Sequence, residues 1–102
     1  MKIQWTIPAV NDLESIRDYI ARDSELYAAS FIEKILGIVD LLNDSPEIGR
    51  IVPEANDRAI REMIFQNYRI MYRLHSNSVQ IIAIIRGSRD IARWPLKPWE
   101  VA

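Results

Sequence analysis

Hydrophobic and polar positions along the first half of the chain predict one strand followed by two helices. The run Lys2–Trp5 alternates polar and apolar side chains, which is typical of a half-buried strand. Apolar side chains then recur every three to four positions through 7–22 and again through 25–42, as on one face of a helix. Thr6 and the pair Asp23-Ser24 are the expected N-caps. The short link between the two segments predicts an antiparallel helical hairpin.

The second half of the chain predicts a three-stranded meander. Residues 59–65, 68–74 and 79–85 are the expected strands, with turns at 66–67 and 75–78. The last strand is apolar on both faces, so we place it inside the sheet and expect it to be covered on both sides. The predicted fold is α+β, in the order β-α-α-β-β-β, with the helical hairpin packed on a mostly antiparallel four-stranded sheet. The first strand is expected beside the last.

Composition places the chain among small folded domains. Its 102 residues fit one domain, and 49% apolar residues are enough for a compact core. The absence of cysteine excludes a disulfide framework, a thiolate zinc site and a cysteine nucleophile. No apolar run is long enough to cross a bilayer, and the N-terminus lacks the regions of a signal peptide. We therefore expect a cytoplasmic protein with no membrane association.

The net charge of −1 conceals a division between the two halves of the chain. Residues 1–57 carry five Lys or Arg against eleven Asp or Glu, whereas residues 58–102 carry eight against three. A difference of −6 against +5 suggests an anionic partner for the second half. The structural alternative is that the two halves neutralise each other within one fold.

Arginines of the second half are the main candidates for a functional site. They lie in or next to the predicted meander: Arg58, Arg61, Arg69, Arg73, Arg86 and Arg89. Arg69 and Arg73 share one face of the middle strand with Met71, and the opposite face is apolar. We expect the six to converge on a concave sheet surface, as a phosphate-binding cleft or as a docking surface for an acidic protein segment. The structural alternative is a solvated strand face, with Arg61 paired to Glu62 or to a helix carboxylate.

Other residue types give weaker signals. His75 is the only histidine, and its position in a turn favours a turn role over acid–base chemistry. No cluster of His, Asp and Glu has metal-ligand spacing, and no glycine-rich loop could cradle a phosphate, so we expect neither a metal nor a cofactor. In the tail beyond Ile91, Pro95 and Pro98 lie between Trp94 and Trp99, and these prolines predict that neither tryptophan belongs to a regular element. These tryptophans either fold back over the sheet or are exposed anchors for a partner.

The residues resemble those of the RelE/ParE toxins of type II toxin–antitoxin systems. Three groups of positions carry the resemblance over 1–91: Trp5-Thr6, Ala9, Asp12-Leu13, Ile16 and Tyr19-Ile20 in the first strand and helix; Phe31, Leu42, Pro46, Gly49-Arg50 and Pro53 in the second helix and loop; Arg61-Glu62, Tyr68–Arg73 and Gly87–Asp90 in the sheet. Residues 1–91 are thus expected to form the toxin domain, and 92–102 a C-terminal tail.

The resemblance implies a toxin that a cognate antitoxin neutralises through an acidic, amphipathic C-terminal segment. ParE-like members inhibit DNA gyrase, whereas RelE-like members cut messenger RNA on the ribosome. The RelE-like nucleases use lysines, arginines and a late tyrosine. This chain has no lysine between Lys34 and Lys97 and no tyrosine after Tyr72, so only Arg69, Arg73 and Arg86 could fill catalytic roles. The ParE-like interpretation is therefore favoured, although Arg86 stands where many ParE-like members have histidine.

A third interpretation is a non-toxic relic that still binds its antitoxin. The residues expected to contact antitoxin or target are the six arginines together with Trp94 and Trp99.

Overall fold

The computed structural model describes residues 1–101, which form an α+β sandwich with one sheet. The elements in chain order are β1 (Lys2–Trp5), α1 (Ile7–Ala21), α2 (Glu25–Asp40), β2 (Arg50–Ile51), β3 (Ile60–Phe65), β4 (Tyr68–Leu74), β5 (Ser78–Arg86) and α3 (Pro98–Val101). Single 3₁₀ turns follow α2 at Leu41–Asn43 and β5 at Ile91–Arg93. None of the helices described has both the length and the apolar character needed to cross a membrane.

The sheet has the strand order β1-β5-β4-β3-β2. β1 runs parallel to β5, and the other neighbours are antiparallel. The positions expected for β1 and β5 are confirmed, but the expected count of four strands is wrong, because β2 adds a fifth at the edge. β2 has only two residues, too few for an alternating pattern to be visible in the sequence.

Gly49 explains why the loop after α2 returns to the sheet as β2. Its amide donates a hydrogen bond to the phenol oxygen of Tyr72 at 2.9 Å. A Cβ atom at Gly49 would lie 2.5 Å from that oxygen and 2.7 Å from the carbonyl oxygen of Glu62. Only glycine fits this approach, and it sets the two residues that follow beside β3.

Both helices begin at the expected caps. The Thr6 hydroxyl accepts a hydrogen bond from the Ala9 amide at 3.2 Å, and the Ser24 hydroxyl accepts one from the Tyr27 amide at 3.0 Å. Thr6 also donates to the carbonyl oxygen of Ile81 at 2.9 Å. The cap of α1 is therefore fastened to β5, which fixes the start of the helix relative to the sheet.

Two apolar cores lie on the two faces of the sheet. The first is between the helical hairpin and the sheet, and it includes the apolar residues of β4 as expected: Tyr68, Ile70, Tyr72 and Leu74. The second lies on the face of Met71, where the loop after β2 and the C-terminal tail cover the sheet. β5 contributes to both cores because its side chains alternate between the two faces of the sheet. The register shifts between its pairs with Met71 and Tyr72, which leaves Ile82 as an extra residue, and both Ile82 and Ala83 join the second core.

The close contact at Gly49 gives a stability prediction with a matched control. We expect Gly49→Ala to lower the free energy of unfolding by about 1–3 kcal/mol, since the new methyl group would overlap Tyr72 and the β3 backbone. Gly37 lies within α2, and a Cβ added there would meet no atom within 4 Å, so Gly37→Ala should raise stability by about 1 kcal/mol. Urea unfolding measures both. Equal effects of the two substitutions would contradict the packing described.

Candidate binding cleft

Arg69 is buried and fully engaged within the protein. Its Nε donates to Glu62 Oε1 at 2.6 Å, and its two terminal nitrogens donate to the Glu54 carboxylate at 2.9 and 2.7 Å. The paired hydrogen bonds from Arg69 hold the pKa of Glu54 below its usual range. Arg69 therefore fastens the loop after β2 onto the sheet, and its guanidinium has little capacity left for a ligand.

Glu62 is the reason that Arg69 turns inward. Its side chain is completely buried, and it also accepts a hydrogen bond from Arg50 Nε at 2.7 Å. Two arginines and two glutamates thus form a neutral chain from β2 through β3 and β4 to the loop. A buried carboxylate without such partners would be strongly destabilising.

Arg61 also serves the fold, whereas the side chain of Arg58 forms no hydrogen bond or ion pair within residues 1–101. The Arg61 guanidinium donates to three backbone carbonyl oxygens, those of Arg58, Glu47 and Gly49. The structural alternative, in which Arg61 pairs with Glu62 or with a helix carboxylate, is therefore wrong, because its donors are used by backbone carbonyls. Arg58 is exposed in the turn before β3.

Arg73 holds the C-terminal tail. One of its terminal nitrogens donates to the carbonyl oxygen of Trp99. Trp94 and Trp99 are half-buried and pack against the second core, so the tail folds back over the sheet. The prediction that neither tryptophan belongs to a regular element is wrong for Trp99, because Pro98 begins the short helix α3, where a proline is tolerated in the first turn. A solvated strand face, the structural alternative for Arg69 and Arg73, is wrong, because two glutamates bind Arg69 and the tail binds Arg73.

Arg86 and Arg89 differ from the other arginines because aromatic rings position them. Arg86 ends β5 with its guanidinium carbon 5.7 Å from the centre of the Tyr19 ring. The corresponding distance from Arg89 to the Trp94 ring is 4.9 Å, and both are within the range of a cation–π interaction. Both side chains are exposed, and among residues 1–101 no carboxylate lies within ion-pair distance of either.

These two arginines flank a cleft of about 360 Å³ between α1 and the end of β5. The polar and aromatic groups that line it are Asp12, Ser15, Tyr19, Tyr68, Arg86, Arg89 and Trp94. A backbone hydrogen bond from the Arg89 amide to the Arg86 carbonyl oxygen, at 3.0 Å, closes the turn that presents both guanidinium groups. The cleft therefore combines two cations on one turn with aromatic walls.

Asp12 lines the cleft and caps the edge of β5. β1 follows β5 only as far as Ile81, and one turn into α1 the Asp12 carboxylate accepts the Ile84 amide at 2.9 Å. The side chain thus takes the place of a strand carbonyl where β1 ends. Burial raises the pKa of Asp12 above its ordinary value, and the hydrogen bond from Ile84 opposes that shift.

The expectation that all six arginines converge on one concave surface is wrong. Arg69 and Arg73 lie on the sheet face opposite the helices, whereas Arg86 lies against α1. Three residues of the predicted set line one cleft together: Arg86, Arg89 and Trp94.

Sequence reasoning missed Asp12, Ser15, Tyr19 and Tyr68 as parts of this cleft. Asp12 carried a usable signal, because a carboxylate three residues after Ala9 falls on the apolar side of α1.

His75 is exposed, with its Nε2 at 3.3 Å from the Gln80 side chain. Within residues 1–101, no three His, Asp or Glu side chains are grouped as metal ligands would be.

Comparison with known proteins identifies related chains. A family model described as the ParE toxin of the type II toxin–antitoxin system parDE matches residues 3–91. Y4kP of Sinorhizobium fredii, a proposed toxin, is 30% identical over 96 residues, which cover 92% of this chain and 93% of that protein. Toxin RelE2 of Caulobacter vibrioides is 32% identical over 89 residues, which cover 86% of this chain and 97% of that protein.

Among solved structures, the chromosomal ParDE TA system from P. aeruginosa contains a chain with the same fold. The TM-score is 0.70 at 24% sequence identity, and the match covers 84% of this chain and 95% of that chain.

The raised pKa of Asp12 predicts a pH dependence of stability. The folded protein binds a proton at Asp12 more readily than the unfolded chain, so the wild type loses stability as pH rises through the raised pKa. Asp12→Asn keeps an acceptor for the Ile84 amide but does not titrate. We expect the stability of Asp12→Asn relative to wild type to increase from acidic to neutral pH, as measured by urea unfolding. Parallel pH profiles would contradict this assignment.

Proposed function

The chain belongs to the ParE toxin family of type II toxin–antitoxin systems, and we propose that it acts by binding and inhibiting DNA gyrase. As a type II toxin it has a cognate antitoxin as its partner. The family model that matches residues 3–91 describes ParE toxins, and this match is the observation that carries the proposal.

The contacts that Arg69 and Arg73 make within the protein support binding rather than RNA cleavage as the function. A ribonuclease needs cations and an acid–base pair gathered around one phosphate. Arg69 is bound by two glutamates and Arg73 by the tail, on the sheet face opposite Arg86. His75 lies in the turn between β4 and β5. β5 begins at that turn and ends at Arg86, so His75 and Arg86 lie at opposite ends of the strand. The three arginines that a nuclease would require are therefore separated.

The second candidate is a ribosome-dependent messenger RNA endoribonuclease. Two observations favour it: the similarity to a toxin named RelE2, and the exposed Arg86 beside Tyr19. In this alternative Arg86 would contact the scissile phosphate without Arg69 or Arg73.

A supercoiling assay separates these candidates. We expect the purified toxin to inhibit gyrase-catalysed supercoiling of relaxed plasmid in proportion to its concentration, and the cognate antitoxin to restore the activity. Induction without antitoxin should arrest growth with filamentation and a DNA-damage response. Unchanged supercoiling at saturating toxin would overturn the proposal.

Primer extension on translated messages is the companion measurement. Intact messages are expected, whereas cuts within codons would establish the endoribonuclease. Normal growth after induction, with a stable toxin–antitoxin complex, would instead identify a non-toxic antitoxin-binding protein.

A further inference from the structure

We propose that the outer edge of β1 is an interface between two copies of this chain, related by a two-fold axis that passes through Gln4. The two five-stranded sheets then join into one continuous sheet across the pair of β1 strands. The interface belongs to the free toxin, so it does not depend on gyrase as the target.

Unpaired backbone groups along β1 are the first argument. β1 is an edge strand whose neighbour in the sheet is β5. The amides of Lys2 and Thr6 donate to carbonyl oxygens on the β5 side, at 3.4 and 3.1 Å. Because the direction of the backbone groups alternates along a strand, the N–H and C=O groups of Ile3 and Trp5 point away from β5. No turn, loop or cap hydrogen bond within residues 1–101 uses those groups.

β1 is also a regular edge strand. Exposed edges in natural proteins are commonly blunted by a proline or a β-bulge. The four residues of β1 contain no proline, and their register with β5 is unshifted. The edge therefore presents an even row of donors and acceptors to an added strand.

A cleft beside this edge is the second argument. It has a volume of about 550 Å³ and lies between β1 and the C-terminal half of α2. Ile3 and Trp5 line its sheet side, and the exposed residues Leu36 and Gly37 line its helix side. An added strand would cover both sides, so the apolar part of the cleft would be removed from water together with the edge.

Gly37 is the third argument. It is exposed in the interior of α2, where glycine costs about 1 kcal/mol relative to alanine. A Cβ atom at Gly37 would meet no atom of the chain within 4 Å, so contacts within one copy do not account for a glycine. Close approach of a second backbone does account for it, because glycine has no side chain to hold the two helices apart.

Self-complementarity identifies the occupant as a second copy of the chain. An antiparallel strand that pairs through the free groups of β1 places Ile3 of one copy opposite the partner's Trp5, and the two-fold axis repeats this pair. Each pair exchanges both of its backbone hydrogen bonds. Gln4 then faces the partner's Gln4, and two side-chain amides can each donate to and accept from the other.

The residues on either side of β1 match in the same register. Met1 comes to the level of Ile7 of the partner subunit, and these two apolar residues are 46% and 76% exposed in the single chain. Lys2 comes opposite the partner's Thr6, so no like charges meet along the paired strands. A nucleic acid would instead need a row of cations, and Lys2 is the one cation among residues 2–5.

The arrangement leaves the arginine cleft of each copy accessible. β5 runs parallel to β1, so in the antiparallel partner it runs in the opposite direction. The two Arg86 clefts therefore lie at opposite ends of the joined sheet, each at the end of its own β5.

Sedimentation velocity of the full-length toxin tests the proposal, with the antitoxin removed and any tag placed at the C-terminus. We expect a monomer–dimer equilibrium with a dissociation constant on the order of 10 µM, as suits a small interface. Gln4→Glu and Gln4→Lys should each weaken the dimer by about fivefold or more, because like charges then face each other across the axis. Thermal unfolding verifies that each variant is folded.

A mixture of the two Gln4 variants is the most specific measurement. Equal amounts of Gln4→Glu and Gln4→Lys should form a mixed dimer that is tighter than either homodimer, since opposite charges then meet at the axis. Gln66 provides the matched control, because it is exposed in the turn between β3 and β4. Gln66→Glu and Gln66→Lys should associate like wild type, alone and mixed.

Gly37→Gln separates association from stability. Glutamine favours a helix over glycine, so the free energy of unfolding should be unchanged or raised in urea. The same side chain would lie between the two copies of α2, and the dimer should weaken by about threefold or more. A merely structural glycine would not give these opposite effects.

Four results would overturn the interface. They are a toxin that stays monomeric up to about 1 mM, a mixed dimer of the Gln4 variants no tighter than their homodimers, and an unchanged dimer in Gly37→Gln. The fourth is a Gln4 variant that binds antitoxin more weakly while the free toxin is monomeric, which would assign the edge to a strand of the antitoxin. Association is measured without gyrase, so failure of gyrase inhibition leaves this test intact.

Discussion

The buried carboxylate of Glu62 is the constraint on which the rest of this structure depends. A charge that is removed from water must be compensated nearby, and here Arg50 and Arg69 supply the compensation from the neighbouring strands β2 and β4. Arg69 then binds Glu54, which closes the loop after β2 over the second core. One neutralised carboxylate thus joins β2, β3, β4 and the loop after β2, and it directs Arg69 inward.

The same constraint shapes the functional surface. The positive charge of the second half suggests, from the sequence, a single anion-binding surface, but three of its seven arginines act as internal cross-links: Arg61 to a loop, Arg69 to two glutamates and Arg73 to the tail. Arg86 and Arg89 remain directed outward, and aromatic rings rather than acids position them. The toxin therefore presents a small cationic cleft whose two arginines are held against aromatic rings.

Local patterns predicted the elements of this fold well. Thr6 and Ser24 act as caps, β4 separates its apolar and arginine faces as alternation requires, and β5 lies inside the sheet. The alternation of polar and apolar residues along a strand predicts which side chains share a face of the sheet, but it does not predict what covers that face. The loop and the tail that cover Met71 were therefore not predictable. The partners of the arginines depend on diagonal neighbours across strands and on distant loops, as with Arg69 and Glu54, and no spacing in the sequence encodes them. For the same reason, Asp12 was recognised only as part of a family pattern.

The arginines of this toxin are divided between an internal network and an exposed pair. Nuclear magnetic resonance of the arginine Nε–H groups measures this division directly, through the rate at which each proton exchanges with water. We expect slow exchange for Arg69, whose Nε–H is buried against Glu62, and fast exchange for Arg86 and Arg89. Exchange at Arg69 as fast as at Arg86 would contradict this division, because it would mean that the carboxylate network does not hold Arg69 inside the fold.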